Sequence, residues 1–346
     1  MSLGKLVAGL VLMAIGVSLS LWSFLTYKQL PQETGENITS TETRIQYLER
    51  RGYTYLLDQS FLLKNPQNNT VSELVYVWIP VNASNQLVKL IETSVVPLHK
   101  KVDKDGVEIL VFNVSLPASG TIWINMTLQV TVEAYSLLME NLPWLNLSQV
   151  EENTGGKKYW AVENETCIAL AKEIGLNTRD PVSASWAIGK WIVDNKIYMP
   201  MWRRGAEQAL IIENGSLKVF GDCEEVADVF VTLTRILGVR SRVAHGIYIL
   251  EGDKDVTTMW IKMTDRGLEL SDNWGGHAWP QIYVPQVGWV DVELLEGDIV
   301  KIGDFSQYHV KYGFEENNFL GSTILYCRSM FLETNALYFT FRRVES

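Results

Sequence analysis

The fold of this chain is decided by the stretch Val219-Phe220-Gly221-Asp222-Cys223-Glu224-Glu225, which runs directly into the apolar segment 226–237. Asp222, with Glu225 three residues later, is a capping-box pattern that predicts the start of a helix. Cys223 then lies in the first helical turn, where unpaired N–H groups and the positive end of the helix dipole favour a thiolate. Because the thiolate is the reactive form of cysteine, Cys223 is a candidate nucleophile.

A nucleophilic Cys223 needs a histidine, because its acidic neighbours would otherwise raise the pKa of the thiol. The chain has four histidines. His277 follows the pair Gly275-Gly276, which allows close backbone approach before a strand predicted at 278–284. His277 is therefore the predicted base. His245 is the reserve candidate, with a packed core or surface histidine as its alternative interpretation, whereas His99 and His309 lie in less distinctive surroundings.

An acidic residue should orient the base by accepting a hydrogen bond from its second ring nitrogen. A turn at 285–288 precedes the predicted strand 289–293, which returns antiparallel to the strand of His277. Side chains alternate along a strand, so Asp291 and Glu293 share one face. Either carboxylate is a candidate for this role.

Four blocks of sequence, in this order, resemble the core of the transglutaminase-like superfamily. The blocks are Gly221-Asp222-Cys223-Glu224-Glu225-Val226-Ala227-Asp228, Gly238-Val239-Arg240-Ser241-Arg242-Val243-Ala244-His245-Gly246, Gly276-His277-Ala278-Trp279 and Gly288-Trp289-Val290. The resemblance covers roughly residues 155–305. It implies an α+β domain with a papain-like triad, in which a cysteine at a helix start, a strand histidine and an aspartate on the next strand act together.

The third position departs from the family pattern. The family usually has its Asp four residues after the Trp of Gly-Trp-Val, and that register falls on Glu293 here, while Asp291 comes two residues early. The register favours Glu293 and leaves Asp291 as the alternative.

The resemblance implies a cysteine acyltransferase, protease or amidase that acts on protein or peptide amides through a Cys223 thioester. The backbone N–H of Cys223 is one natural oxyanion donor, and the sequence does not identify a second. A catalytically inactive surface glycoprotein that uses the same fold for binding is the alternative. A zinc site of Cys223, His245 and His277 is a third hypothesis, but no Cys-x-x-Cys or His-x-x-x-His spacing supports it. No cofactor is expected.

The N-terminus predicts a membrane anchor. No charged residue occurs from Leu6 to Tyr27, and a run of about 20 apolar or small residues suffices for a helix that crosses a bilayer. A cleaved signal peptide is the alternative, although its apolar region is usually only about 7–15 residues long. The net charge of −10 offers no basic field for phosphates, so nucleic acid is not an expected partner.

Asn-x-Ser/Thr triplets indicate the compartment. There are eight of them, at Asn37, Asn68, Asn82, Asn113, Asn125, Asn146, Asn164 and Asn214. Chance would give about two or three, so the excess predicts a single-pass cell-membrane glycoprotein whose body after residue 28 is extracytoplasmic. Surface turns rich in Asn and Ser are the alternative.

The three cysteines are an odd number: with Cys223 free, Cys167 and Cys327 form a disulfide or two buried thiols.

The predicted organisation has five parts. They are a transmembrane anchor (1–28), a polar tether (29–45), an antiparallel β-sandwich (46–140), a transglutaminase-like α+β domain (150–310) and a C-terminal β extension (311–346). In the sandwich, alternation from Ile122 to Val132 predicts one buried face. In the second domain, helices are expected at 160–174 and 181–195, the latter with Asp180 as its cap. The sandwich resembles, more loosely, domains that precede this core in membrane-anchored prokaryotic relatives.

Overall fold

The structure is a computed structural model that describes residues 43–143, 156, 158–178, 180–316 and 327–344. The chain from Thr43 to Ser346 clusters as one compact unit. The predicted anchor and nearly all of the predicted tether lie outside the described residues. Within the described ranges, no helix is both long and apolar enough to span a bilayer.

The first half of the body is built from strands. They are β1 (Arg44–Lys64), β2 (Val71–Trp78), β3 (Gln86–Thr93), β4 (His99–Val102), β5 (Glu108–Leu116) and β6 (Thr121–Glu140). The alternation predicted in β6 is confirmed, because every second side chain from Ile124 to Val132 is at most 2% exposed. Strand β6 continues beyond this alternating stretch to Glu140.

The second half mixes helices and strands. Its helices are α1 (Glu165–Gly175), α2 (Pro181–Asn195), α3 (Ala206–Ala209) and α4 (Cys223–Ile236). Its strands are β7 (Lys196–Tyr198), β8 (Leu210–Glu213), β9 (Ser216–Gly221), β10 (Ser241–Tyr248), β11 (Val256–Thr264), β12 (Gly267–Leu270), β13 (Gly276–Val284), β14 (Gly288–Glu293), β15 (Lys301–Ile302), β16 (Asp304–Phe305), β17 (His309–Glu315), β18 (Cys327–Arg328) and β19 (Glu333–Val344). The chain is therefore α+β with mostly strands.

Capping residues set the helix boundaries. Helix α2 spans the predicted residues, and the Asp180 side chain accepts hydrogen bonds from the backbone of Val182 and Ser183. Helix α1 begins five residues later than predicted. Asn164 is the reason, because its side chain accepts a hydrogen bond from the Cys167 N–H at 3.1 Å and so caps the helix there.

Two sheets pack face to face around the larger core. One has seven strands in the order β12-β11-β19-β1-β6-β16, with β3 also paired to β6, and the other has the order β18-β2-β5-β4. Strand β19, which falls in the predicted C-terminal extension, lies between β1 and β11 and is therefore an inner strand of the sandwich. Strands from three predicted segments thus share one sheet, and the predicted domain boundaries remain predictions.

The second core lies between helices and a five-stranded sheet with the order β15-β14-β13-β10-β17. Helix α4 supplies Val226, Val229, Phe230 and Leu233 to this core, all at most 2% exposed. Because α4 packs on β10 and β13, its first residue lies beside the strand that carries His277.

Candidate active site

Cys223 is the first residue of α4, as the capping pattern predicted. Asp222 caps the helix: its side chain accepts a hydrogen bond from Glu224 N at 2.9 Å, and its own N–H donates to the Glu225 carboxylate at 3.2 Å. Gly221 makes this turn possible, since a Cβ at its φ of +156° would lie 2.4 Å from the Glu225 Cβ. The prediction of a capping box at this position is confirmed.

The half-buried thiol of Cys223 lies beside His277. Burial raises the pKa of Cys223, the hydrogen bond and charge of His277 oppose this, and nearby Asp222 and Glu224 add to the rise. The net pKa of the thiol lies above its ordinary value. The imidazole is therefore the group that favours the thiolate, as expected from the acidic surroundings.

Glu293 lies on the far side of His277. Its Oε2 is 2.9 Å from His277 Nε2, which leaves Nδ1 for the Cys223 thiol. Burial lowers the pKa of His277, but attraction to Glu293 and hydrogen bonds to Cys223 and Glu293 raise it overall to about 10. Burial raises the pKa of Glu293. Attraction to His277 nevertheless holds the pKa of this carboxyl well below its ordinary value.

The backbone fixes the Glu293 carboxylate. Its Oε1 accepts hydrogen bonds from the N–H groups of Leu294 at 2.8 Å and Leu295 at 2.6 Å. The glutamate therefore reaches His277 with one oxygen while the other is held by the next two residues of its own chain.

His309 is a residue of the site that the sequence did not point to. Its Nε2 is 3.2 Å from Glu293 Oε2, and its Nδ1 is 3.0 Å from the Ser306 hydroxyl. Burial lowers the pKa of His309, and nearby His277 adds to the lowering, although Glu293 opposes it. A neutral His309 donates from Nε2 to Glu293 and accepts from Ser306 at Nδ1. The only feature of the sequence that could have drawn attention to His309 is that the chain has just four histidines.

Asp291, the alternative acid, does not reach His277. Strand pairing places Asp291 opposite Gln281, which is four residues, or about 13 Å, along β13 from His277. Its carboxylate accepts hydrogen bonds from Trp279 Nε1, Gln281 Nε2, Tyr135 Oη and Lys311 Nζ at 2.6–2.9 Å. The expectation that either acid could orient His277 is corrected in favour of Glu293.

His245, the reserve base, lies on β10 opposite Ala278, the residue after His277, and its side chain contacts a different acid. Its Nε2 is 2.9 Å from the Glu315 carboxylate. In the part of the chain that the structure describes, the hypothetical zinc ligands Cys223, His245 and His277 do not form a group whose ligand atoms lie close enough together to hold a metal ion. Among the described residues, the ligand atoms of His277, Glu293 and His309 lie within 4.8 Å of one another. These three types of ligand could bind a divalent cation, but the same atoms already form the hydrogen bonds described above.

The glycines before His277 allow the close approach that the sequence predicted. A Cβ on Gly275 would lie 1.8 Å from the carbonyl oxygen of Tyr248. The Tyr248 N–H donates a hydrogen bond to the Gly275 carbonyl at 2.7 Å. This contact brings the start of β13 against the end of β10.

The other two cysteines, Cys167 and Cys327, are buried free thiols in separate cores, so the two-thiol alternative holds.

An exposed apolar rim lies beside Cys223. It consists of Tyr198, Met199 and Trp202, which are 53%, 45% and 81% exposed. The rim is held there because Tyr198 pairs with Gly221 and the Met199 N–H donates to the Gly221 carbonyl at 2.8 Å. Partial burial and then the charge of Cys223 raise the pKa of Tyr198 to about 12.

Residues 168–294 match the family model of the transglutaminase-like superfamily. They form a transglutaminase-like domain. The matched range contains Cys223, His277 and Glu293 and lies within the region where the sequence showed the resemblance. A comparison with curated proteins found no match.

Solved structures also show similarity to this chain. A proposed cysteine protease from Cytophaga hutchinsonii superposes with a TM-score of 0.56 at 10% identity, covering 88% of this chain and 94% of that chain. The periplasmic domain of TgpA from Pseudomonas aeruginosa, bound to ethylmercury, covers 70% of this chain and 90% of that chain, with 13% identity and a TM-score of 0.34. At 10% identity, the first likeness concerns the fold alone.

Proposed function

We propose that this protein is a cysteine-dependent enzyme that transfers or hydrolyses the acyl groups of protein or peptide amides through a thioester on Cys223. The observation that carries the proposal is that the Cys223 thiol lies beside His277, whose Nε2 is 2.9 Å from Glu293 Oε2. A nucleophile, a base and an orienting acid in bonding contact are what covalent acyl transfer requires.

In the first step, the Cys223 thiolate attacks the carbonyl carbon of the amide. Glu293 keeps His277 protonated, so the imidazolium stabilises the thiolate and then donates its proton to the departing nitrogen. The carbon–nitrogen bond breaks, and the acyl group remains on sulfur as a thioester.

In the second step, neutral His277 takes a proton from an incoming amine or water, which attacks the thioester. An amine gives a new amide, and water gives an acid. Both outcomes start from the same thioester on Cys223. The second nucleophile therefore decides between transamidation and hydrolysis.

The oxyanion formed in each step needs hydrogen-bond donors. As the first helical residue, Cys223 has an N–H outside the intrahelical hydrogen bonds, and the positive end of α4 adds to its effect. The apolar rim of Tyr198, Met199 and Trp202 offers exposed hydrophobic surface beside the nucleophile, which favours an extended peptide or protein segment as the substrate.

We also propose that the body is extracytoplasmic, glycosylated and anchored in the cell membrane by a helix at 1–28. Six of the acceptor asparagines lie in the described residues, and five of these are exposed: Asn68, Asn82, Asn113, Asn125 and Asn214. Endoglycosidase treatment of the protein from its natural membrane should lower its mass. An unchanged mass would remove the support that the triplets give to this location.

The activity is tested by incubating the purified protein with a glutamine-containing peptide and a primary amine, followed by mass spectrometry. An amine adduct indicates transamidation, cleavage indicates a protease, and conversion of the amide to an acid indicates deamidation. The Cys223→Ser variant must abolish whichever product forms. A product that persists in this variant, or no product over a panel of glutamine peptides, would instead favour an inactive binding protein.

A further inference from the structure

A buried lysine lies at the junction between the sandwich and the five-stranded sheet, outside the proposed triad. Lys311, on β17, is 1% exposed. Its Nζ is 2.5 Å from the side-chain oxygen of Asn85 and 2.8 Å from Asp291 Oδ2. An amine, a carboxamide and a carboxylate are therefore in direct contact in the interior of the protein.

Hydrogen bonds to the main chain of Lys311 and to the side chain of Asn85 hold both residues in place. The N–H of Lys311 donates to Gln86 Oε1 at 2.8 Å, and its carbonyl accepts from Gln86 Nε2 at 2.8 Å and from Val81 N at 3.0 Å. Both the main chain and the side chain of Lys311 thus contact the segment 81–86. The carboxamide of Asn85, which is 6% exposed, donates from its nitrogen to the Glu133 carbonyl at 3.4 Å.

The Lys311 amine lies among buried aromatic side chains. Tyr135, Trp279 and Phe305 are all at most 7% exposed, and the Lys311 amine lies 5.5 Å from the centre of the Phe305 ring. Burial lowers the pKa of Lys311 despite the attraction of Asp291, which favours the nucleophilic neutral amine. Groups fixed in contact in this way need no encounter in solution, and fixed orientation can replace a large part of an activation barrier.

We propose that Lys311 and Asn85 become joined by an intramolecular amide bond. A proton first passes from the Lys311 ammonium to the Asp291 carboxylate, and the neutral Nζ attacks the side-chain carbonyl carbon of Asn85. The bond from this carbon to Nδ2 breaks. The nitrogen leaves as ammonium with one proton from the Lys311 amine and one from Asp291, which returns to its carboxylate form. No oxidant or external reagent is needed.

The bond would join two residues that are 226 positions apart in the chain. It would fix the segment before β3 to β17, the strand on which His309 contacts Glu293. A cross-link between distant residues also restricts the unfolded chain and so stabilises the folded one. The proposal is independent of the activity of Cys223, since none of its three groups belongs to the proposed triad.

The test is a tryptic digest of the full chain, purified from a host that does not attach N-glycans, with intact-mass measurement on the same sample. An unmodified chain is cleaved after Lys311 and gives linear peptides 65–89 and 302–311. The bond predicts a branched peptide that joins Asn85 to Lys311 and an intact mass lower by one ammonia. Recovery of both residues in linear peptides at the full mass would overturn the proposal and leave an ordinary buried ion pair.

Controls come from the chain itself. The Lys301 amine lies 2.5 Å from a Glu296 oxygen but is 27% exposed, so it should remain linear in the same digest. Lys311→Arg keeps the positive charge and should give the full mass, whereas Asp291→Asn removes the proton acceptor and should lower the branched fraction at least tenfold. If either variant fails to fold, the digest of the unaltered protein still decides. An ammonia loss that persists in folded Lys311→Arg would contradict the assignment.

Discussion

The carboxylate of Glu293 lies 2.9 Å from His277 Nε2, although the two residues are diagonally placed across β13 and β14. The longer side chain of glutamate spans this diagonal, and its second oxygen binds the N–H groups of Leu294 and Leu295. Its length is part of the geometry of the site.

We expect Glu293→Asp and Glu293→Gln to lower kcat for product formation. The aspartate is too short to hold both its own backbone and His277, and the glutamine lacks the charge that raises the pKa of His277. General acid–base catalysis contributes about 10²–10⁴-fold to a rate, so the glutamine variant should lose about a hundredfold or more. Steady-state kinetics measure this, with Glu269→Gln on the surface as the control. A glutamine variant with unchanged kcat would show that Glu293 does not orient the base.

Local sequence patterns predicted much of the candidate site but little of the strand pairing around it. The cap at Asp222, the glycines before His277 and the register of Glu293 each depend on neighbours within a few positions, so the sequence contains the signal. His309 reaches Glu293 only because β17 pairs with β10, about sixty residues away. Likewise, β19 lies between β1 and β11. Periodicity indicates which face of a strand is buried but not which strand pairs with it.

His309 should act as a positioning residue for Glu293. His309→Phe removes the donor at Nε2, and hydrogen bonds to charged groups contribute about 1.5–3 kcal/mol, so kcat should fall about tenfold or more. KM should change little because His309 is buried behind the acid. His309→Gln retains an amide donor and should recover part of the rate, while His99→Gln, on an exposed strand, should have no effect. Equal losses in the Phe and Gln variants would indicate a packing role only.

Alkylation should distinguish Cys223 from the other two thiols in the native protein. Burial raises the pKa of Cys167 to about 11 and that of Cys327 to about 12, and both are shielded from reagent. Iodoacetamide at pH 8 should therefore label Cys223 first, as peptide mapping will show. His277→Asn should slow this labelling, because the imidazolium that lowers the pKa of the thiol is gone. Equal rates in the two proteins would mean that His277 does not activate the sulfur.

The stabilising effect of His277 should depend on pH. Its pKa rises from an ordinary value of 6.5 to about 10 in the folded state, so its protonation stabilises the fold fully below about pH 6.5. This contribution is lost as pH rises through about 10. The difference in unfolding free energy between the native protein and His277→Asn, measured in urea, should shrink over this range. A difference that stays constant from pH 6 to pH 10 would contradict the raised pKa.

Removal of Arg203 should lower the stability of the fold far more than removal of an exposed arginine. Its guanidinium bridges two buried carboxylates, with Nε 2.8 Å from Asp228 Oδ2 and Nη1 2.8 Å from Glu315 Oε2. Arg203→Met leaves both acids buried without this cation, which should lower the unfolding free energy by about 3–5 kcal/mol. The matched control is Arg266→Met. The Arg266 side chain is 87% exposed in its pair with Glu269, so the change should be within about 1 kcal/mol. Urea denaturation of both variants measures the contrast, and similar losses would show that burial does not strengthen the Arg203 pair.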